Sequence, residues 1–163
     1  MRITSAEANK LLKKLEENKR KILTEESESK TFHCAISESP SILSPHYIFS
    51  ETQQVIEIIN NQIIKLKHAI NYFNVNTVVC DNLTIDQILV KMPMLQKERE
   101  KLRVMAMTPS RKRCPINGSV IDYIYTNYDP DEVTDALAKV DDEITKLQLE
   151  LDKVNTTVTF EVE

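Results

Sequence analysis

The chain has 163 residues, a formal charge of -4 and a single glycine, Gly118. A chain of this length buries enough surface for a core, and its acidic balance gives no global attraction to nucleic acid or anionic lipid. Phosphate loops and dinucleotide fingerprints need several glycines for close backbone approach, so both are excluded. Scarce glycine also argues against an all-β fold, whose tight turns depend on it.

The cysteines and the chain start indicate the compartment. Cys34, Cys80 and Cys114 are odd in number and form no CxxC pair, which favours a reducing environment. Residues 1–5 lack the apolar core of a signal peptide, and no run approaches the roughly 18 apolar residues of a membrane span. We therefore expect a cytoplasmic protein that does not act at a membrane.

The first helix is predicted near residues 5–28. Thr4 and Glu7 have the spacing of a capping box. Ala8 and Leu12 then begin an apolar stripe opposite a charged face.

A connector is predicted over residues 30–50. Phe32, Cys34 and Ile36 alternate as in a short strand, and residues 47–49 suggest a second extended piece. Long connectors with aromatic residues are seldom without a role, so this one is expected to cover the helical body or reach a neighbouring subunit.

Two further helices are predicted, near 51–74 and near 84–106. Ser50 is the expected N-cap of the first of them. The second begins with another capping box, from Thr84 to Gln87, and Pro93 predicts a kink or a break within it.

An arm is predicted over residues 108–128, between the third and fourth helices. It begins as a basic loop and continues as an extended segment, with Asn117-Gly118 as a hairpin turn. Its candidate binding residues are the cations Arg111, Lys112 and Arg113 and the tyrosines Tyr123, Tyr125 and Tyr128.

The last helix is predicted near residues 130–155. Asp129 is the expected N-cap and Pro130 occupies the first helical position. Its apolar residues repeat at heptad spacing, and residues 156–162 then alternate like a short strand. The candidate core or interface residues of this helix are Val133, Leu137, Val140, Ile144, Leu147 and Leu151.

These elements predict a mainly α fold in one domain over residues 1–163. The expected architecture is a four-helix antiparallel bundle, or long helical hairpins, with a small β element. The second and fourth helices both end in Asn and Thr followed by β-branched residues. One hypothesis is that these two tails pair side by side; the other is that Asn simply ends both helices.

The predicted elements carry a set of polar and apolar residues in a recognisable order: Asn71, Asn74, Thr77, Arg113, Asp141, Leu151 and Asn155. With these residues, the order of elements resembles the septicolysin-like family of uncharacterised bacterial helical proteins. The resemblance covers most of the chain, but the family's usual Trp after the final Asn is missing and the connector differs. It implies a helical, oligomeric bacterial protein and supplies no mechanism.

No residue pattern indicates catalysis, a metal or a cofactor. His33 and Cys34 are adjacent and would point to opposite faces of a strand, and the Glu-x-x-His motif of di-iron bundles does not occur. Nothing resembles a nucleophile signature, and residues 141–143 are an acidic cluster expected on a solvated helix face. We therefore expect a protein that is not an enzyme.

The sequence favours a structural or interaction protein that self-assembles into a homo-oligomer through its heptad helices, with Tyr123 and Tyr125 as further anchors. A separate protein partner is a further option. The alternative is a nucleic-acid-associated accessory protein that uses residues 111–113. The acidic total charge disfavours it, and the same cations could instead form a solvated loop or pair with a neighbouring subunit.

Overall fold

Helices form most of the protein in the computed structural model, which describes residues 1–114 and 122–162. The predicted mainly α fold with a small β element is confirmed. The helices of the described residues are α1 (Ser5–Ser29), α2 (Pro40–Leu43), α3 (Phe49–Asn76), α4 (Ile85–Met107) and α5 (Pro130–Thr157). The strands are β1 (Arg2–Thr4), β2 (Val78–Cys80), β3 (Leu83–Thr84), β4 (Arg111–Arg113), β5 (Tyr123–Tyr125) and β6 (Thr159–Glu161).

Both predicted capping boxes are confirmed. The Thr4 hydroxyl accepts the Glu7 amide at 3.2 Å, while the Glu7 carboxylate accepts the Thr4 amide at 2.8 Å. The bonds from Thr4 hold the pKa of Glu7 below its ordinary value. Thr84 and Gln87 repeat the arrangement at the start of α4. Each box pairs two backbone donors that a helix start leaves open.

The start of α5 also agrees with the prediction from the sequence. Pro130 is its first residue, and the Asp129 carboxylate accepts the amide of Asp131 at 2.9 Å. Of the two outcomes predicted at Pro93, the break is wrong, because α4 continues through this residue, and the kink stays a prediction. Pro93 lies on the exposed side of α4, where water can replace the lost backbone hydrogen bond.

The connector differs from its prediction. Residues 32–36 form no strand, and Ile36 is fully exposed, so no apolar face is available to hold an extended segment against a partner. Pro40 instead begins the short helix α2. Phe49 is the first residue of α3, so residues 47–49 are not an extended piece and Ser50 lies within the helix.

The described chain divides into two compact units. The first contains Met1–Phe73 and the segment from Asn155 onward, and the second contains Asn74–Val154. That residues 1–163 fold as a single domain stays a prediction.

The first unit joins the two ends of the chain. β1 and β6 pair antiparallel, with Ile3 opposite Phe160. Beyond the strands, Met1 and Val162 exchange hydrogen bonds of 2.7 and 2.8 Å. The predicted terminal strand is thereby confirmed over Thr159–Glu161.

A helical hairpin forms the rest of this unit. Glu16 of α1 pairs with Lys67 of α3 at 3.0 Å, and Glu26, farther along α1, binds the earlier Gln53 of α3. The two helices are therefore antiparallel. Phe160 stacks on Phe73 with ring centroids 4.6 Å apart. The buried centre is Ala8, Leu66 and Ile70, packed against Ile3, Leu11, Leu12, Leu15, Phe160 and Val162.

The second unit begins with a tight hairpin. β2 pairs with β3 through a two-residue turn in which Asp81 and Asn82 have φ of 49° and 61°. Two positive φ angles are typical of a type I′ turn, which Asp and Asn tolerate. Of the two hypotheses for the helix tails, side-by-side pairing is therefore wrong, because β2 turns back onto β3 while β6 pairs with β1.

Helices α4 and α5 form an antiparallel pair in this unit. Lys91 forms an ion pair with Glu143, and the Tyr128 hydroxyl, just before α5, donates to the Met105 carbonyl near the end of α4 at 2.9 Å. The buried residues of the two helices are Ile85, Ile88, Leu95, Leu102, Val133, Val140, Ile144, Leu147 and Leu151.

Replacing Phe160 with Ala should destabilise the protein by about 2 kcal/mol. This is less than the roughly 3–5 kcal/mol for a fully buried phenylalanine, because Phe160 is half-buried. Urea unfolding followed by circular dichroism measures the change. The control is Val158→Ala, which shortens an exposed apolar side chain two residues away. Equal unfolding midpoints for the two variants would contradict a stabilising role for the stacking of Phe160 on Phe73.

Replacing Ile144 with Asp should destabilise the protein by more than about 4 kcal/mol, because a carboxylate would replace a side chain that is 3% exposed. Leu149→Asp is the matched control on the same helix, since Leu149 is 64% exposed. Thermal melting should separate the two variants widely. A normal melting curve for Ile144→Asp would refute this assignment of the core.

Candidate functional site

The predicted heptad residues of α5 lie in the interior of the second unit. Val133, Val140, Ile144, Leu147 and Leu151 are buried by the single chain, and Leu137 is half-buried. They form core in the absence of any second copy. Their role as contacts between copies stays a prediction.

The predicted basic loop is wrong, because Arg111, Lys112 and Arg113 form strand β4. Its partner β5 confirms the extended character predicted for Tyr123–Tyr125. Backbone hydrogen bonds from Cys114 to Asp122 and from Thr126 to Ser110 extend the ladder at both ends. The Asn117-Gly118 turn lies outside the described residues.

The register of β4 and β5 sorts the side chains between two faces. Arg111 lies opposite Tyr125, and Arg113 lies opposite Tyr123. Alternate residues of a strand point to the same face, and directly opposed residues share that face. These two arginines and two tyrosines therefore form one surface, here called the Arg/Tyr face. Lys112 and Ile124 are on the other side.

The Arg/Tyr face is open to solvent. Tyr123 and Tyr125 are 43% and 63% exposed, and their ring centroids are 6.3 Å apart with planes at 50°. The Arg111 guanidinium lies 4.8 Å from the Tyr123 ring centroid, which is within cation–π range. Among the described residues, none of the three β4 cations forms a salt bridge. The face therefore offers uncompensated positive charge beside accessible aromatic rings.

Tyr128 does not belong to this face. Its hydroxyl donates to the Met105 carbonyl, and its side chain is half-buried. It ties the segment before α5 to the end of α4.

An apolar row on the outside of α4 was missed in the sequence. Val90, Met94 and Val104 are 60%, 65% and 58% exposed. At 100° per residue they share one side of the helix, opposite the buried Ile88 and Leu95. The sequence signal was present, because α4 has apolar residues around most of its circumference. Periodicity predicts one buried side for a helix, so the second apolar side became apparent only in the structure.

Over residues 1–114 and 122–162, no three His, Cys, Asp or Glu residues are grouped so that they could hold a metal ion. None of the helices in that part of the chain is long and apolar enough to span a membrane.

A polar cluster joins the connector to the helical hairpin of the first unit. The Glu26 carboxylate accepts hydrogen bonds from the Tyr47 hydroxyl and the Gln53 amide, both at 2.7 Å. The bond to Glu26 raises the pKa of Tyr47. Each group has a protein partner, so the cluster has a structural role in holding the connector.

An exposed ion pair connects the β2–β3 turn to α5. The Lys146 ammonium donates to the Asp81 carboxylate at 2.7 Å. This bond and its charge lower the pKa of Asp81 and raise that of Lys146. Both side chains are more than half exposed, so salt screens the interaction.

This pair predicts a pH-dependent contribution to stability. Because the pKa of Asp81 is depressed on folding, the contribution is present above its ordinary value of 3.8 and disappears as the pH falls through the lower folded value. The raised pKa of Lys146 removes it again well above 10.5. Lys146→Met should return the Asp81 pKa toward 3.8 in a carboxyl NMR titration. An unchanged titration would show that the pair does not persist in solution.

Comparison with known proteins identifies a shared fold. No family model and no curated protein matches the chain. A solved structure, the "crystal structure of a functionally unknown conserved protein from Corynebacterium diphtheriae", is similar, with a TM-score of 0.65 and 14% sequence identity. The match covers 99% of this chain and 100% of that chain. At this identity the likeness shows that the two chains share a fold, and it shows nothing about function.

Proposed function

We propose that the protein is a non-enzymatic structural or interaction protein that self-assembles. The observation that carries this proposal is the outward apolar row of α4, Val90, Met94 and Val104, each more than half exposed. Exposed apolar residues that line one side of a helix can form a contact surface when the cations between them also pack there through their stems. The proposed contact therefore uses the outside of α4, while the heptad residues of α5 supply the rigid core beneath it.

Two cations interrupt the apolar row. Lys97 and Lys101 lie between Met94 and Val104 on the same side of α4. Lysine can lay its aliphatic stem on an apolar surface while its ammonium reaches water or an acidic partner. The row is therefore compatible with burial against a second helix.

A second copy of the chain is the proposed occupant. Two α4 helices packed antiparallel about an axis between residues 97 and 98 would set Lys97 of one copy at the level of Glu98 of the other, and the reverse, with Glu98 at the edge of the contact. A two-fold contact is self-complementary in this way. The same packing brings Met94 beside the stem of Lys101 and Val90 toward Val104. Attraction between opposite charges thus accompanies apolar burial.

Two further expectations from the sequence, the family and the cellular location, are part of this proposal. Membership of the septicolysin-like family and a cytoplasmic location both agree with a helical homo-oligomer.

Nucleic-acid association is the second candidate function. It is favoured by the strand register, which places Arg111 and Arg113 beside Tyr123 and Tyr125 on one exposed face. Cations can bind phosphates while aromatic rings stack on bases. The function predicts salt-sensitive binding to an oligonucleotide that is lost when residues 111–113 are all neutralised.

Self-assembly predicts a discrete multiple of 18.8 kDa in size-exclusion chromatography with light scattering. The double variant Met94→Glu and Val104→Glu should be monomeric, since like carboxylates would replace apolar contacts across the two-fold axis. Circular dichroism should remain unchanged, because both residues are exposed.

The control is Leu149→Glu, which introduces the same charge at an exposed position of α5. This variant should keep the mass of the original oligomer. A monomeric unmodified protein would overturn self-assembly. An oligomer that survives both α4 substitutions would place the contact elsewhere.

A further inference from the structure

The Arg/Tyr face combines two chemistries that single-stranded nucleic acid requires together. Arg111 and Arg113 supply planar groups that bind phosphate through paired N–H donors. Tyr123 and Tyr125 supply rings with exposed area on the same face. We propose that this face binds single-stranded nucleic acid, with unpaired bases stacked on tyrosine and phosphates held by arginine; this inference rests on the second candidate function.

The aromatic rings decide between single and double strands. In a duplex, both faces of an internal base are covered by its neighbours, so a protein ring cannot stack on it. A two-stranded β ribbon can enter the major groove of a duplex, but there arginine reads base edges by hydrogen bonding. In that arrangement the two exposed tyrosine rings would not stack on bases. Unpaired bases use both the rings and the cations.

The geometry assigns the two rings different roles. The Arg111 guanidinium lies 4.8 Å from the centre of Tyr123, so it covers part of that ring and holds its orientation. Tyr125 is the more exposed residue, at 63%, and no cation is stacked on its ring among the described residues. Tyr125 is therefore the main stacking platform, while Arg111 keeps N–H groups available for phosphate.

The charge that attracts the ligand is local. Residues 110–114 and 122–126 contain three cations and one acid, Asp122, whereas the whole chain has a formal charge of -4. Binding should therefore be short in range and easily screened. For single strands, each neutralised phosphate contributes about -0.7 to the slope of log K against log salt. The two arginines of the Arg/Tyr face therefore predict a slope of about -1.4.

Lys112 provides an internal control. It carries the same charge as Arg113 and is its neighbour in β4, but it points to the opposite side of the ribbon beside Ile124. Its contribution is expected to be electrostatic alone. Arg113→Gln and Lys112→Gln remove equal charge from the two faces, so a difference between them reports contact and not charge.

The experiment is fluorescence anisotropy with the full chain and a labelled oligothymidylate of about 15 nucleotides. Duplex DNA of the same length and a polyglutamate peptide serve as competing probes. The single strand should bind at least about tenfold more tightly than the duplex. Tyr125→Ala should weaken binding on the order of tenfold, while Tyr125→Phe should change it less than about twofold, because the stacking ring remains. Arg113→Gln should weaken binding more than Lys112→Gln.

The outcomes separate this inference from the function on which it rests. Equal binding to single and double strands, with no effect of Tyr125→Ala, would overturn stacking recognition and leave nucleic-acid association standing. No salt-sensitive binding to either DNA, or binding to polyglutamate alone, would overturn both. All four substitutions are at exposed positions, and matching melting curves would confirm that each variant is folded.

Discussion

The pairing of the two chain ends is the constraint on which the first unit depends. β1 precedes the first helix and β6 follows the last, yet they form one antiparallel ladder with Ile3 opposite Phe160. Phe160 also stacks on Phe73, which fixes the returning strand against α3. This pairing therefore joins residues that are separated by almost the whole chain. Such a long-range closure has a large entropic cost, and apolar packing around Ala8 offsets it.

Apolar residues have different roles on the two helices of the second unit. Almost all apolar residues of the α5 stripe are buried in the core. The outer surface of α5 is therefore charged, apart from the exposed Leu149. In contrast, α4 buries one side and exposes Val90, Met94 and Val104 on the other. A side chain already buried by its own chain has little area left for a partner. This is why the proposed self-association uses α4, although the more regular heptads belong to α5.

Backbone pairing between β4 and β5 brings the candidate binding side chains together. Arg113 and Tyr123 are separated along the chain, but the ladder sets them directly opposite each other, and the strand alternation puts Lys112 on the reverse side. The side chains need not form a core for this arrangement to exist, since backbone hydrogen bonds define it. The exposed tyrosines and arginines therefore remain available for a ligand.

The sequence by itself determined the features that depend on neighbours along the chain. The capping boxes at Thr4 and Thr84 and the start of α5 at Pro130 need only contacts within one helical turn, so their residues could be recognised directly. Only the tertiary structure decided which strands pair, whether the α5 stripe is core, and that α4 exposes a second apolar side. Those outcomes depend on residues distant in sequence, and strand register alone brought the arginines and tyrosines to one face. Periodicity identifies an apolar side of a helix, but the surface that covers it is set by how the whole chain packs.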